Sequence, residues 1–391
     1  MIPALDFFSV PRIVFGRGKL ATALPELAGP LGPTILVVHN GGHGPLDRVT
    51  AALKGKGVRV VPLRQKGEPT VDEVDAGLHL ARVAGCTGAI GVGGGSAIDT
   101  AKAIAGLMAN GGTVLDYLEV IGRGQKLTKP AVPWLAVPTT AGTGAEVTRN
   151  AVVGSPERKF KASLRSEGLL ARAVIVDADL GTDVPANVTA WSGSDALCQC
   201  VEAYTSAGGN PMTDGLALKG VELAGRSLRR AVADGADADA RDQMAMAALL
   251  SGVALTNAGL GAVHGFAAPL GANFDVPHGA ICAALLPVVI ETNIMAAAAA
   301  GLTAVVNRYA DVGRALADNP GLEPDQALSS AIRGTQELAK AIGIPPLKKF
   351  GLSPARVPEM VALAKKASSM RFNPVPLSDE KLAEVLTRAI G

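Results

Sequence analysis

The chain has 391 residues, of which 48% are hydrophobic and 18% charged, and its formal net charge is +2. This length exceeds what one ordinary hydrophobic core organises, so two domains are expected, and the apolar content excludes a disordered chain. The balanced charge and the low aromatic share of 3% argue against a nucleic-acid partner, which needs a basic surface or stacking rings.

The cysteine pattern and the apolar tracts predict a soluble cytoplasmic protein without a membrane partner. The chain has four cysteines, Cys86, Cys198, Cys200 and Cys282. They follow no disulfide-framework spacing, which is typical of a reducing compartment. The N-terminus lacks the basic and apolar pattern of a signal peptide. The most apolar tract begins at Ala280 and is interrupted by Pro287, Glu291 and Asn293, so it predicts a buried helix and not a membrane span.

From residue 12 to about residue 177, six short β-branched runs alternate with helical segments. The runs are RIVF (12–15), TILVV (34–38), VRVV (58–61), AIGV (89–92), WLAV (134–137) and AVIV (173–176). Apolar strands that alternate with amphipathic helices, such as 46–53 and 71–83, predict a parallel sheet covered on both faces. Ligands of such sheets bind beyond the carboxyl ends of the strands.

After Pro185 the pattern changes to long segments rich in Ala, Leu and Met, such as 212–231 and 240–258, with no strand among them. Helical periodicity without strands predicts an all-helical second domain. The sequence therefore predicts a dinucleotide-binding α/β domain over residues 1–185 and an all-helical metal and substrate domain over residues 186–391.

Two polar loops follow neighbouring strands of the predicted sheet. The fourth strand continues into Gly93, Gly94, Gly95 and Ser96 before a helix begins. Glycines allow backbone amides to approach a pyrophosphate, and a helix N-terminus favours an anion. Ser96 with Asp99 three residues later resembles a capping box, and both are candidate cofactor residues. After the fifth strand, the hydroxyls of Thr139, Thr140 and Thr143 can line the same crevice.

The segment 191–204, WSGSDALCQCVEAY, places Asp195, Gln199 and Glu202 along one stripe of a predicted helix. Two His-Gly pairs follow much later, at His264 and His278. One carboxylate and two imidazoles form a ligand set for Zn²⁺ or Fe²⁺. The alternative is that both histidines only pack in a helical core.

Several longer motifs resemble the iron-containing (group III) alcohol dehydrogenases along nearly the whole chain. They are FGRGKL, GGGSAIDTAK, PTTAGTGAEVT, KASLRS, IVDADL, GSDALCQCVEAY, HGFAAPLGANFDVPHG and NPVPLSDEKL. The resemblance implies hydride transfer between NAD(P)(H) and a carbonyl that a divalent metal polarises, in a cleft between the two domains. It also implies a homodimer or larger homo-oligomer.

Carried over by position, the resemblance assigns the pyrophosphate to Gly94, Gly95 and Ser96, the cofactor lining to the three threonines, and the nicotinamide end to Lys161. The metal would be held by Asp195, His264 and His278. The fourth ligand expected from the family is a histidine where this chain has Gln199, a weaker donor. Cys198 is a further option.

Two other positions depart from the family. An aspartate after the second strand in NAD-preferring relatives is Asn40 here, with Gly41, Gly42, His39, His43 and Arg48 nearby. Loss of that negative charge removes a repulsion against a 2′-phosphate and favours NADPH or dual use. A second histidine four residues after His264 is replaced by Ala268, which leaves water on the metal, Tyr204 or Asp275 as proton donors.

Three alternatives to a metal-dependent reductase remain. A maleylacetate-reductase-like enzyme would act on an anionic oxo acid and could do so without a metal. Arg149 or Lys159 would then be the partner of the substrate anion. A dehydroquinate-synthase-like lyase would need a basic cluster near the metal, which the helical segments do not offer. A non-catalytic binding protein would not need both the phosphate loop and the predicted ligands.

Overall fold

The computed structural model describes residues 4–40 and 44–391. The chain divides into two compact units. The α/β unit comprises residues 8–140 and 144–183, and the helical unit comprises residues 184–391 with the short segments 4–7 and 141–143. Gly41, Gly42 and His43, which the sequence places after Asn40, lie outside the described residues.

The α/β unit contains eight strands and five α-helices within its described residues. The strands are β1 (Ile13–Phe15), β2 (Thr34–His39), β3 (Arg59–Arg64), β4 (Gly88–Gly93), β5 (Trp134–Pro138), β6 (Asn150–Ser155), β7 (Phe160–Arg165) and β8 (Ala173–Val176). The helices are α1 (Lys19–Leu27), α2 (Gly44–Leu53), α3 (Val71–Val83), α4 (Gly95–Asn110) and α5 (Val114–Tyr117).

Six of these strands form one parallel sheet in the order β1-β8-β5-β4-β2-β3. They correspond to the six β-branched runs, so the predicted parallel sheet is confirmed. Along β2, residues alternate between the two faces because strand side chains have a period of two. Ile35 and Val37 share a core with α1 and α2, whereas α4 packs on the sheet through its buried alanines.

An antiparallel hairpin of β6 and β7 was absent from the sequence prediction. Its first strand alternates half-buried and buried residues and its turn includes Lys159 with a φ of 48°. The hairpin packs beside α4 and not within the main sheet. Short strands outside a parallel sheet lack the continuous apolar run that identified the other six.

The helical unit consists of nine α-helices in its described residues. They are α6 (Ala186–Thr205), α7 (Pro211–Ala233), α8 (Ala238–Ala258), α9 (Ala262–Asn273), α10 (His278–Ala299), α11 (Thr303–Leu316), α12 (Pro324–Ala341), α13 (Val357–Ala364) and α14 (Asp379–Ile390). No strand lies in this unit as described, and the fold class predicted from the sequence is confirmed.

The apolar tract after Ala280 forms α10. Among the described helices, α10 alone is long and apolar enough to cross a membrane, and 72% of its most apolar window is buried inside the protein. Helices α8 and α9 pass the same test only together, and they are bent by 101° at their break. Helix α10 packs against α6, α9, α11, α12 and α14, and its Asn293 donates to the Tyr309 hydroxyl at 2.9 Å. This burial is that of a core helix, as the sequence predicted.

Candidate active site and cofactor site

Asp195 lies in the middle of α6 and is 2% exposed. One carboxylate oxygen, Oδ1, is 3.2 Å from His264 Nε2 and 3.6 Å from His278 Nε2. His264 lies in the first turn of α9, and His278 is the first residue of α10. The structure therefore brings the carboxylate and the two imidazoles of the predicted ligand set together, although they come from three helices.

The glycine of the second His-Gly pair explains how His278 reaches Asp195. A Cβ atom at Gly279 would collide with the backbone carbonyl of Trp191 on α6. Only glycine allows the first turn of α10 to lie this close to the α6 backbone. Gly279 thus sets the helix approach that places His278 beside the carboxylate.

Glu202 holds His264 in place from the side opposite Asp195. Its Oε2 accepts a hydrogen bond from His264 Nδ1 at 2.6 Å, and its Oε1 accepts one from the Val263 amide at 2.7 Å. The bond to Nδ1 fixes the orientation of the ring and leaves Nε2, the nitrogen that faces Asp195, as the atom that a metal could bind. The sequence placed Glu202 on the correct stripe of α6 without giving it this role.

Gln199, predicted as a weak fourth ligand, lies one helical turn after Asp195. Its Nε2 donates to Asp195 Oδ2 at 3.1 Å, and its Oε1 accepts from the Ser251 hydroxyl at 2.7 Å. The amide orientation follows from the carboxylate, which can only accept. The Gln199 amide nitrogen therefore helps to orient Asp195, and Ser251 fixes the amide by its oxygen.

Asp195 and the two histidines stabilise one another in their charged forms. Burial raises the pKa of Asp195, but His278 and His264 lower it further, so the pKa lies below its usual value. Burial alone would lower the pKa of His278, yet Cys282 and Asp195 raise it to about 9. Protons and a metal cation compete for such donors, so a divalent cation can take the place of the protons.

Two cysteines lie beside the same histidine. Asp195, His264, His278 and Cys282 each offer a ligand atom, and these four atoms lie within 4.8 Å of one another. Cys282 Sγ is 3.8 Å from His264 Nε2. Cys198 forms a second group with Glu202 and His264, and burial raises the pKa of its thiol to about 12. The spacing of four residues between His278 and Cys282 is the sequence signal that could have identified Cys282.

The predicted phosphate loop, residues 93–96, begins where β4 ends in the α/β unit. Helix α4 starts at Gly95 with Gly94 as its N-cap, and no side chain caps it. The predicted Ser96–Asp99 capping box is therefore wrong. Ser96 Oγ instead accepts a hydrogen bond from Asn40 Nδ2 at 2.8 Å. Gly93 has a φ of 150°, which favours glycine, and a Cβ there would collide with Asn40.

Asn40 follows β2 and braces this loop. Its Oδ1 accepts a hydrogen bond from the Gly94 amide at 3.0 Å while its Nδ2 donates to Ser96. The neighbouring strand β5 ends at Pro138, and the Thr139 amide then donates to the Gly93 carbonyl at 2.9 Å. Asn40, Gly94 and Thr139 thus lie together beyond the carboxyl ends of three adjacent strands, which is where ligands of parallel sheets bind.

Three other predicted cofactor residues have different surroundings. Asp99 is buried, and its two oxygens accept from Lys102 Nζ at 3.2 Å and from the Val152 amide at 3.0 Å. Both Asp99 oxygens therefore have partners within the α/β unit, and its role as a cofactor contact stays a prediction. Lys161 on β7 lies 3.7 Å from Glu68, and Thr143 is exposed in the segment 141–143 of the helical unit.

Lys102 is a buried charged residue of the α/β unit that the sequence analysis did not single out. Its ammonium is fully buried in α4 and donates to the Ala145 carbonyl at 2.7 Å, Thr148 Oγ1 at 2.8 Å and the Asn150 carbonyl at 2.6 Å. It thereby ties α4, which follows the phosphate loop, to the loop after β5. A lysine on an otherwise apolar helix face was the available signal.

Comparison with known proteins agrees with this arrangement. Residues 11–178 match the model of the iron-containing alcohol dehydrogenases, and residues 189–390 match the C-terminal model of the Fe-containing alcohol dehydrogenase family. The chain belongs to the iron-containing alcohol dehydrogenase family.

Individual relatives cover almost the full length of the chain. The long-chain-alcohol dehydrogenase 1 of Geobacillus thermodenitrificans is 36% identical over 98% of each chain. A crystal structure of a 1,3-propanediol oxidoreductase superposes with a TM-score of 0.91 at 33% identity, covering 99% of this chain and 100% of the other. The crystal structure of the sulfoacetaldehyde reductase of Bifidobacterium kashiwanohense with NAD⁺ superposes with a TM-score of 0.87 at 26% identity, covering 99% of each chain.

Membership of the iron-containing alcohol dehydrogenase family makes the chain an oxidoreductase, and the family binds NAD(H) and a divalent metal. The names of the three relatives refer to a long-chain alcohol, a short diol and an anionic aldehyde. The family therefore defines the type of reaction and leaves the substrate open.

Tyr204 and Asp275 were considered as proton donors. Tyr204 is bound to another side chain, and Asp275 lies at the surface. The Tyr204 hydroxyl donates to Asp311 at 2.9 Å, and burial together with Asp311 raises the pKa of Tyr204. Asp275 is exposed just before α10. Tyr204 is therefore engaged on α11 and keeps its proton.

Arg149 and Lys159, the two residues considered as partners for an anionic oxo acid, both lie in the α/β unit. The Arg149 guanidinium lies 4.0 Å from the Phe8 ring centre. Lys159 is exposed in the turn between β6 and β7. Neither residue supports the maleylacetate-reductase-like alternative.

Proposed function

We propose that the chain is a metal-dependent, NAD(P)(H)-linked alcohol dehydrogenase that reduces an aldehyde or ketone, or oxidises the corresponding alcohol. The observation that supports this proposal is the convergence of Asp195 Oδ1 with His264 Nε2 at 3.2 Å and His278 Nε2 at 3.6 Å in a buried site. Separations of this size are those between ligands of one small cation.

Asp195, His264 and His278 are the proposed metal ligands, and Gln199 and Glu202 are positioning residues that orient them. A divalent metal at this site supplies Lewis-acid polarisation of the substrate oxygen, while a nicotinamide supplies or accepts hydride. His278 is 33% exposed, whereas Asp195 and His264 are nearly buried. His278 is therefore the most exposed of the three proposed ligands, and a small substrate would approach the metal from its side.

The proposed cofactor residues lie in the two polar loops. Gly95 and Ser96 would bind the pyrophosphate through their amides at the N-terminus of α4, a terminus that no side chain caps. Gly94, whose own amide donates to Asn40, would allow the pyrophosphate to approach the backbone, because it has no side chain. Thr139, Thr140 and Thr143 would line the cofactor, and Lys161 would lie near the nicotinamide. Asn40 would contribute by holding the loop in shape.

The lack of a negative charge at Asn40 favours NADPH, or the use of both cofactors. We expect Asn40→Asp to lower the ratio of kcat/KM with NADPH to that with NADH at least about tenfold, because a carboxylate repels a 2′-phosphate. The loop should survive, because the Ser96 hydroxyl can reverse its hydrogen bond and donate to the new carboxylate. Steady-state kinetics with both cofactors measure the ratio, and Asn40→Ala, which adds no charge, is the matched control. An unchanged ratio in Asn40→Asp would refute this role.

Metal reconstitution tests the proposed activity directly. We expect chelator-treated protein to lose carbonyl reduction, followed as NAD(P)H absorbance with short aldehydes, and to regain it with one equivalent of Zn²⁺ or Fe²⁺. Cofactor binding, followed by nucleotide fluorescence, should persist in the metal-free protein. Full turnover of carbonyl substrates by protein that is free of metal would contradict the proposal.

Compartment and assembly are also proposed. Four free cysteines fit a cytoplasmic enzyme, and homodimers or larger assemblies are expected from the resemblance. Light scattering of the purified protein gives the oligomeric state.

A further inference from the structure

We propose that Cys282 is a fourth protein ligand of the metal and that its sulfur shifts the site toward Zn²⁺ relative to Fe²⁺. This inference rests on the proposed function, because it concerns the same metal. It starts from the position of Cys282, one helical turn after His278 on the buried face of α10.

Three of the six separations among these four ligand atoms are close to those of a tetrahedral centre. With metal bonds of about 2.0–2.1 Å to nitrogen or oxygen and about 2.3 Å to sulfur, tetrahedral angles place nitrogen and oxygen ligands about 3.3 Å apart and nitrogen and sulfur about 3.6 Å apart. The observed distances are 3.2 and 3.6 Å from Asp195 Oδ1 to the two imidazoles, and 3.8 Å from Cys282 Sγ to His264 Nε2. Cys282 Sγ and Asp195 Oδ1 therefore approach the same atom, His264 Nε2.

The surroundings of Cys282 differ from those of an ordinary core cysteine. A buried cysteine usually behaves as a small apolar residue, whereas this sulfur lies beside two imidazoles and a carboxylate. Gln199 cannot complete the set in its present orientation, since its amide oxygen accepts from Ser251 and its nitrogen donates to Asp195. Cys198 is a weaker candidate, because its group includes Glu202, whose oxygens already hold the first turn of α9.

A thiolate ligand changes which metals the site prefers. Imidazole and carboxylate donors bind Zn²⁺ more tightly than Fe²⁺ in any case, and sulfur adds to that difference. On binding, the thiol proton is released to solvent and the metal–sulfur bond replaces it. Asp195, His264, His278 and Cys282 would together hold the metal, which would still supply Lewis-acid polarisation of the substrate oxygen.

Cobalt spectroscopy tests this ligand without measuring activity. We expect the Co²⁺-loaded protein to show the near-ultraviolet thiolate-to-cobalt charge-transfer band, and we expect the band to be lost in Cys282→Ser and retained in Cys198→Ser. X-ray absorption of the Zn²⁺-loaded wild type should show one sulfur at about 2.3 Å. The wild type alone can overturn the proposal, because the absence of a sulfur ligand excludes Cys282. A sulfur ligand that persists in Cys198→Ser supports Cys282 even if Cys282→Ser does not fold.

Metal affinity and selectivity provide the second readout. Loss of a ligand should weaken Zn²⁺ binding at least as much as loss of an outer-shell partner, which costs about 10–100-fold. In anaerobic competition, the ratio of bound Zn²⁺ to bound Fe²⁺ should fall in Cys282→Ser relative to wild type, with Cys198→Ser unchanged.

The outcomes separate this inference from the proposed function. Wild-type protein that binds Co²⁺ without a charge-transfer band, or that loses the band only in Cys198→Ser, overturns the assignment of Cys282 and leaves the metal site in place. Wild-type protein that takes up no divalent metal overturns the metal-dependent function itself.

Discussion

Asp195→Asn is expected to abolish metal binding and to reduce kcat/KM for carbonyl reduction about a thousandfold, since metal polarisation is worth several kcal/mol and each 1.36 kcal/mol is a factor of ten. The substitution keeps the shape of the side chain. It removes the charge that Oδ1 presents to His264 and His278 at 3.2 and 3.6 Å. Elemental analysis and steady-state kinetics measure the two losses.

The matched control for Asp195→Asn is Cys200→Ser on the same helix. Cys200 is buried, and its sulfur points toward the Ala247 carbonyl, so the variant tests whether disturbance of α6 alone affects activity. Nucleotide binding should be retained in both variants, because the phosphate loop belongs to the other compact unit. Asp195→Asn protein with normal metal content and normal turnover would show that Asp195 is not a ligand.

Lys102→Met should destabilise the α/β unit by about 3–5 kcal/mol, the cost of removing one partner from a buried ion pair. Burial raises the pKa of Asp99 and lowers that of Lys102, so each depends on the other to keep its charge. The variant also leaves the carbonyls of Ala145 and Asn150 without this donor. Urea unfolding in a Trp191→Phe background, where Trp134 is the remaining tryptophan, follows the unit that contains Lys102.

Two further variants define the origin of this effect. Lys54→Met removes an exposed lysine from the same unit, and surface substitutions of this kind usually change stability by less than about 0.5 kcal/mol. The double variant Asp99→Asn/Lys102→Met should recover part of the loss, because no uncompensated carboxylate remains. A Lys102→Met protein as stable as wild type would contradict a structural role for the buried ammonium.

Several parts of the site could be predicted because they depend on local spacing. The six β-branched runs and the helical periodicity after Pro185 determined the two kinds of unit, and the glycines after the fourth run predicted the turn from β4 into α4. The spacing of Asp195, Gln199 and Glu202 placed them on one face of α6. In each case, neighbouring residues along the chain carry the pattern, so strand and helix geometry are sufficient to interpret it.

The tertiary structure alone decided which side chains meet. Glu202 and His264 are 62 residues apart, Asp195 and His264 are 69 apart, and Lys102 and Asn150 are 48 apart. The sequence nominated Gln199 as a ligand and Asp99 as a cofactor contact, because it shows a residue type at a position and not the partner that occupies its polar atoms. The Ser251 hydroxyl bonds Gln199 and the Val152 amide bonds Asp99 from 52 and 53 residues away along the chain, so tertiary packing places both partners. Packing also brings Cys282 close to the two histidines. Burial then determines their chemistry, because a polar group removed from water must find its hydrogen bonds inside the fold.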